Sequence, residues 1–506
     1  MKNTLRLISL LLLAALLCAL MASCANSEET SSQANSSSDD EPSFYGYKVP
    51  EGLDYKNKTV KVLSTAVSTS ATCFQIKPES NPDYSLENTT AILSAASECT
   101  NLVEELLNIT VEEEVIFTSS RFGGPMYQRI SRDAMSYTAD YILAMPCLNE
   151  AAMLATDGIL YDLNNIVDLS NPWWCKPFND AVTIAGKTYF ASGDYGTVSM
   201  DSTMFVAFNK RIESSNGLAE SYGYDSMYDM VDAKAWTQDV MFEMSKKVYV
   251  DSNNNNKSDP DDILGVSGQE NFVYWLLRSG DVNVCTLDDE GYPILTVKNE
   301  RAINLITKAQ EYCQDPTTGF IIADDYSSMG LPINPAVQAF IDGRCLFFFN
   351  SVGGLATIRT MADDFGVLPC PMFDNTQDNY NNNVGSWTSN CLCIPTSVSQ
   401  DDLELAKHFI EALGAVSKSK LTPAYYEQTL QYQISRDDDS MRMLDIISEN
   451  RAPELAEMYR WGNMMATVAA MRIQPVGTFV SAYEKIEQST RQAIEDTVET
   501  FKANNN

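Results

Sequence analysis

The apolar positions of the chain switch repeatedly between a period of two and a period of three to four. Residues 59–63, Thr-Val-Lys-Val-Leu, alternate and are β-branched, which predicts a strand. A helical pattern then runs to Leu107, with Leu102, Val103, Leu106 and Leu107 on one face. Residues 109–117 predict a second strand, 126–135 a helix and 141–144 a third strand. This order of strands and helices predicts a parallel α/β sheet with right-handed crossovers. Ligands gather beyond the carboxyl ends of such strands. That makes Ser64 and Thr65, after the first strand, and Met145, after the third, candidate ligand residues.

Two further extended runs, 187–191 and 203–208, flank a polar, glycine-bearing tract at 192–202. Such a tract suits a chain leaving one lobe for another. Asp194 and Tyr195 within it pair a hydroxyl acceptor with an aromatic face, the chemistry that holds a sugar. Trp173 and Trp174 are expected to pin their loop to the lobe. A helix entered through Thr237 carries Val240, Met241, Met244 and Val248, and another covers 302–312. The apolar run 346–349 suits a buried parallel strand and places Asn350 and Ser351 at its carboxyl end. Trp387, set among Gly385, Ser386 and Thr388, faces either ligand or core. Residues 391–394 read as a strand, and 399–402 as the capping box of a helix over 403–413. A recrossing is expected at 414–420. Trp461 lies between tail helices, where it could face a cleft, and an amphipathic helix closes the chain over 475–501. No internal repeat is evident.

Residues 1–23 have the layout of an export leader: Lys2 and Arg6, an apolar run, then Met21-Ala22-Ser23 before Cys24. This resembles a bacterial lipobox, with Cys24 as the lipidated residue. Residues 24–57 are expected to be a disordered tether. With 35 Lys and Arg against 68 Asp and Glu, the formal charge is −33. That repels nucleic acid and anionic headgroups, so neither is an expected partner. One histidine and scattered cysteines exclude a Cys/His zinc constellation. Asp251, Asn253, Asn255, Lys257, Asp259 and Asp262 fall at positions 1, 3, 5, 7, 9 and 12 of an EF-hand-like loop, Lys257 offering only its carbonyl. A structural calcium site and a solvated polar turn both fit this loop. No other cofactor is expected.

Blocks of sequence carry a family resemblance. Gly158-Ile-Leu-Tyr-Asp-Leu-Asn164, Pro172-Trp-Trp174, Gly186-Lys-Thr-Tyr-Phe190, Phe208-Asn-Lys210, the run from Val337 to Asn350 and Phe365-Gly-Val-Leu-Pro369 occur in order. Together they resemble the extracellular solute-binding proteins of ABC importers, in the sugar-binding, maltose-binding-protein-like branch and its clostridial lipoproteins. The resemblance implies the type II periplasmic-binding-protein fold: two α/β lobes joined by hinge crossings, with a ligand cleft between them. It implies an amino-terminal lobe of residues 58–195 and 365–415, and a second lobe of 196–364 and 416–506. It further implies a monomeric, non-catalytic protein on the outer face of the cytoplasmic membrane that passes a carbohydrate to permease subunits. A surface glycoside hydrolase using two carboxylates and a carbohydrate adhesin are the alternatives. No motif fixes a carboxylate pair, and there is no Gly-x-Ser-x-Gly elbow.

Overall fold

The computed structural model describes residues 44–67, 76–85, 90–329, 331, 333–430 and 438–503. The leader, Cys24 and the tether up to residue 43 lie outside the described residues. The rest of the expected tether is not loose. Tyr47 donates its hydroxyl to the carbonyl of His408 at 3.3 Å, and Tyr55 to that of Glu404 at 3.2 Å. Phe44, Val49 and Leu53 pack beside them on the first lobe. These five apolar residues within twelve positions give the segment enough surface to bury, which the Ser/Asp-rich stretch before it lacks.

In the first lobe, strand β1 (Lys58–Ala66) leads into helix α1 (Ala91–Leu107), then β2 (Ile109–Phe117), helix α2 (Pro125–Ser136) and β3 (Leu143–Met145). β1 is central and parallel to both neighbours, in the order β2-β1-β3. Thr90 caps α1 by accepting from the Leu93 N–H, and Leu93, Val103 and Leu107 turn into the core. Helix α3 (Leu148–Thr156) follows directly on β3. The runs 187–191 and 391–394 form single antiparallel bridges, Ala191 with Leu392 and Ala144 with Cys393, instead of strands. Lys187 is already committed to a tight turn with Ile184, through Ala185 and Gly186 at positive φ, so the first run is too short for a ladder.

The chain crosses through the short helix α4 (Val198–Asp201) into the second lobe. There β4 (Met204–Asn209), β5 (Leu264–Gly268), β6 (Phe320–Ile322), β7 (Cys345–Ser351) and β8 (Phe365–Leu368) form one sheet in the order β8-β4-β7-β5-β6. β5 is parallel to β6 and β7, and β4 is antiparallel to both its neighbours. Phe347, Phe348 and Phe349 are buried in it, as the unbroken apolar run requires.

Two expected boundaries move. β8 is not a return to the first lobe: it pairs with β4 at the edge of the second sheet. The chain stays there until Val384 bridges Thr203 and the Gly385 N–H donates to the Ser202 carbonyl at 3.0 Å. The second crossing therefore lies between 384 and 390, beside the first. The recrossing expected at 414–420 is the middle of one helix, α5 (Gln400–Leu430). Gly414 is not a break there. A Cβ on it would lie 2.4 Å from Cδ1 of Trp173, so the glycine lets the helix lie against that ring.

Helix α6 (Asp438–Glu449) packs near β8, and the tail adds α7 (Leu455–Met458) and α8 (Phe479–Ala503). The tail touches both lobes. Asn149 on α3 donates to the carbonyls of Glu457 and Met458 at 3.0 and 2.9 Å, and Tyr189 meets Phe501 edge-on at 5.1 Å. Among the described residues no helix is long and apolar enough to cross a membrane.

Candidate functional site

The carboxyl ends of β1 and β2 face the carboxyl ends of β5 and β7 across a cleft. It has two compartments, of about 360 and 550 Å³, and Arg121 lines both. The floor is tied by one amide. Asn390 Nδ2 donates to the carbonyls of Thr65 (2.8 Å) and Met145 (2.9 Å), joining β1 to β3, while its Oδ1 accepts from Arg121. Arg121 also donates to the Thr388 carbonyl at 3.2 Å. Arg121 is held at 2% exposure by these bonds, a buried charge tied to the cleft floor.

The narrow compartment is walled by Thr65, Ile92, Val198, Ser351, Val352 and Leu355. At its edge the Tyr425 hydroxyl donates to Asp201 at 2.7 Å, linking α5 to the first crossing. Burial pushes the Asp201 carboxyl up to about 6, against the lowering effect of that hydrogen bond.

The wide compartment holds Trp387, Phe122, Asn149, Arg460 and Asn463, with Glu270 and Glu457. Trp387 is 46% exposed, which is rare for so large an apolar surface, and the Arg121 guanidinium lies 6.0 Å from its ring centre. Its loop is held by Glu457, which accepts the Ser386 N–H at 2.7 Å and the Asn383 amide at 3.0 Å. Burial raises the Glu457 pKa. A planar ring flanked by amides and guanidinium groups can stack on an apolar sugar face and bond the hydroxyls around it.

The expected site residues divide sharply. Ser351 and Trp387 line the cleft; Thr65 borders it but is fully buried, its hydroxyl donating to the Ile116 carbonyl at 3.0 Å. Ser64 and Met145 are fully buried, and the Ser64 hydroxyl donates to Glu113 at 2.6 Å. Asn350 turns back to accept the Ser351 N–H at 2.7 Å. Asp194 is a fastener for α5: it pairs with Lys418 at 3.1 Å and accepts the Thr422 hydroxyl at 2.9 Å. Tyr195 is buried, donates to the Ala191 carbonyl at 2.9 Å and meets Trp174 edge-on. Trp461 is also core. It donates to Thr497 at 3.0 Å and stacks on Tyr459 at 4.8 Å. Trp173, whose indole donates to Glu411 at 2.7 Å, and Trp174 pin their loop as expected.

Arg121 and Phe122 were missed, although they follow the carboxyl end of β2 and the carboxyl-end rule covers that loop as well. Arg460 and Asn463 carry no such signal. They reach the cleft because their neighbour Trp461 is drawn into the core.

The loop at 251–262 is closed by its own side chains. Asn253 and Asn255 donate their amides to Asp259, Asp251 accepts the N–H groups of Asn255 and Asn256, and both oxygens of Asp262 accept backbone N–H groups. Tyr249 donates to the Lys257 carbonyl. Among the described residues no group of three or more His, Cys, Asp or Glu side chains is placed to hold a metal ion.

No family model and no curated protein matches the chain. Solved structures do. An ABC substrate-binding protein from Listeria monocytogenes, in complex with cycloalternan, is 11% identical with a TM-score of 0.52, over 86% of this chain and 99% of that one. The cyclic alpha-maltosyl-1,6-maltose binding protein from Arthrobacter globiformis is 12% identical with a TM-score of 0.54, over 87% and 100%. UgpB from Mycobacterium tuberculosis, in complex with glycerophosphocholine, is 14% identical with a TM-score of 0.52, over 80% and 96%. At these identities the likeness is one of fold. The two-lobed α/β architecture of periplasmic binding proteins is the architecture of this chain.

Proposed function

We propose that this protein is the solute-binding component of an ABC importer: it captures a carbohydrate in the cleft and presents it to permease subunits. The observation that carries the reading is Trp387, an exposed indole held over a polar cleft by the Glu457 hydrogen bonds, at the crossing between two lobes. The fold supports it, and so do the similar structures of proteins that bind oligosaccharides. The export leader and Cys24 support a lipid anchor on the outer face of the membrane. The chemistry is hinge closure on an unaltered solute. Glu457 is poorly suited to acid catalysis on that solute, because both its oxygens are already occupied.

Thermal melting tests the proposal directly, using the chain from residue 24 with Cys24→Ser against neutral and acidic oligosaccharides, polyols and short peptides. A solute at a hundred times its Kd adds about 2.7 kcal/mol, which for a chain this long is a rise of about 3 °C. One sugar class should give that rise and be recovered intact. Trp387→Ala should abolish the rise while leaving the unliganded Tm within about 1 °C, because an exposed side chain contributes little to the core. A flat response across the sugars would sink the proposal.

A further inference from the structure

The narrow compartment has a different chemistry from the wide one. Val67, Ile92 and Leu93 line it from the first lobe, Val198 from the first crossing, and Val352 and Leu355 from the second lobe. Val67, just past the end of β1, is 40% exposed. Most of the polar side chains in these walls are turned to the protein. Thr90 accepts the Leu93 N–H as the cap of α1, and Gln428 Oε1 accepts the Ile92 N–H at 3.2 Å. The Thr388 hydroxyl donates to the Gly385 carbonyl at 3.3 Å, and Tyr425 donates to Asp201. Asn390 and Arg121 are held by the bonds of the floor. A buried sugar ring needs hydrogen-bond partners for its hydroxyls. This compartment offers chiefly hydrocarbon instead.

Its size and position point the same way. An apolar cavity of about 150 Å³ already holds benzene, and this one measures about 360 Å³. It also adjoins the proposed sugar site. Trp387 lines the wide compartment and Thr388, the next residue, lines the narrow one. Their Cα atoms are therefore about 3.8 Å apart. A substituent on a sugar held at Trp387 has the narrow compartment as its neighbour.

We infer that the narrow compartment receives a compact, uncharged apolar substituent of the solute, an aryl or branched alkyl group joined to the sugar that stacks on Trp387. The inference rests on the carbohydrate reading and narrows it to glycosides with an apolar aglycone. A charged substituent is disfavoured, because it would lose its hydration against hydrocarbon walls. Both lobes supply those walls, so enclosing an apolar group between them removes most surface from water in the closed form and favours closure.

The test is calorimetric titration of the chain from residue 24, carrying Cys24→Ser, with paired methyl and phenyl glycosides of glucose, galactose, xylose, maltose and cellobiose, and with phenol alone. Ala356→Trp fills the compartment and Val67→Gln makes its wall polar. Both positions are exposed, so the fold tolerates the changes, and an unchanged Tm verifies that. For the sugar that binds, the phenyl glycoside should bind about tenfold or more tighter than its methyl partner. That advantage should be lost in Ala356→Trp and reduced in Val67→Gln, with the methyl glycoside bound equally by wild type and both variants. Equal binding of the pair by wild type, or a phenyl advantage that survives in both variants, overturns the inference and leaves the carbohydrate reading intact. Binding of phenol as tightly as the phenyl glycoside also overturns it, because the compartment then serves a separate apolar molecule. Binding of no glycoside in the set overturns the inference too, and the thermal-melting panel alone then decides the reading beneath it.

Discussion

Asp201 and Tyr425 show how one side chain can make the joint between elements depend on pH. Asp201 ends the first crossing, and its carboxyl, pushed up to about 6 by burial, accepts the Tyr425 hydroxyl. The folded chain therefore holds this proton more tightly than the unfolded chain, whose aspartate titrates near 4. The stabilising contribution is complete below pH 4 and is lost as pH rises through 6. A displacement of that size is worth at most about 3 kcal/mol, and solvent at the cleft edge reduces it to about 1–2 kcal/mol. Asp201→Asn keeps an acceptor for Tyr425 and cannot titrate. Urea unfolding of both proteins from pH 4 to 7.5 should show the variant gaining about 1–2 kcal/mol on wild type across that range. A constant difference would mean that the carboxyl is not raised. Glu454 and Glu457, also raised by burial, slope the same way in both proteins and cancel in the comparison. Residue type alone could not identify these groups, because their environments are assembled from distant segments. Trp387 and Trp461 make the same point. Both follow a polar residue in a loop, yet one is exposed and the other buried, since Gly462 allows the chain at Trp461 to press against Thr490.

Elements were far more legible than side chains. The alternating and helical periods located β2, β3, β4 and β7 within a residue or two, and the start of β1, which runs on past Leu63 to Ala66, because those strands lie in ladders whose burial imposes the pattern. The pattern failed where tertiary contact overrode local preference. Residues 391–394 look like a strand but pair only through single bridges, and β8 has the sequence of a crossing but the position of a sheet edge. Gly414 is the sharpest case, because glycine in a helix reads as an end. Alanine there would gain about 1 kcal/mol of helix propensity. Its Cβ, however, would meet Trp173, whose indole is held in place by Glu411. Overpacking of this kind costs about 1–3 kcal/mol, so Gly414→Ala should be destabilised by up to about 2 kcal/mol in urea unfolding. A more stable variant would show that Trp173 yields, and would return Gly414 to the status of a residue with no packing role.

The whole molecule is joined by more than its crossings. The first two run side by side near Ser202 and Val384, a narrow axis about which two lobes can rotate. Opposing that rotation, Asn149 on α3 holds the carbonyls of Glu457 and Met458 from the tail, and Asn149 and Glu457 line the wide compartment. This amide acts as a catch between lobes. It is buried, so removing it leaves two carbonyls without their donor, at about 1–3 kcal/mol if the lobes stay together. Opening the cleft lets water reach those carbonyls and relieves the cost. Asn149→Ala should therefore populate an open form. Small-angle scattering should report a larger radius of gyration than wild type without solute, returning to the wild-type value when a bound sugar spans the lobes and restores closure. An unchanged radius in the free variant would show that packing such as Tyr189 against Phe501 holds the lobes by itself. Closure would then have to proceed by small shifts within the cleft instead of rotation of whole lobes.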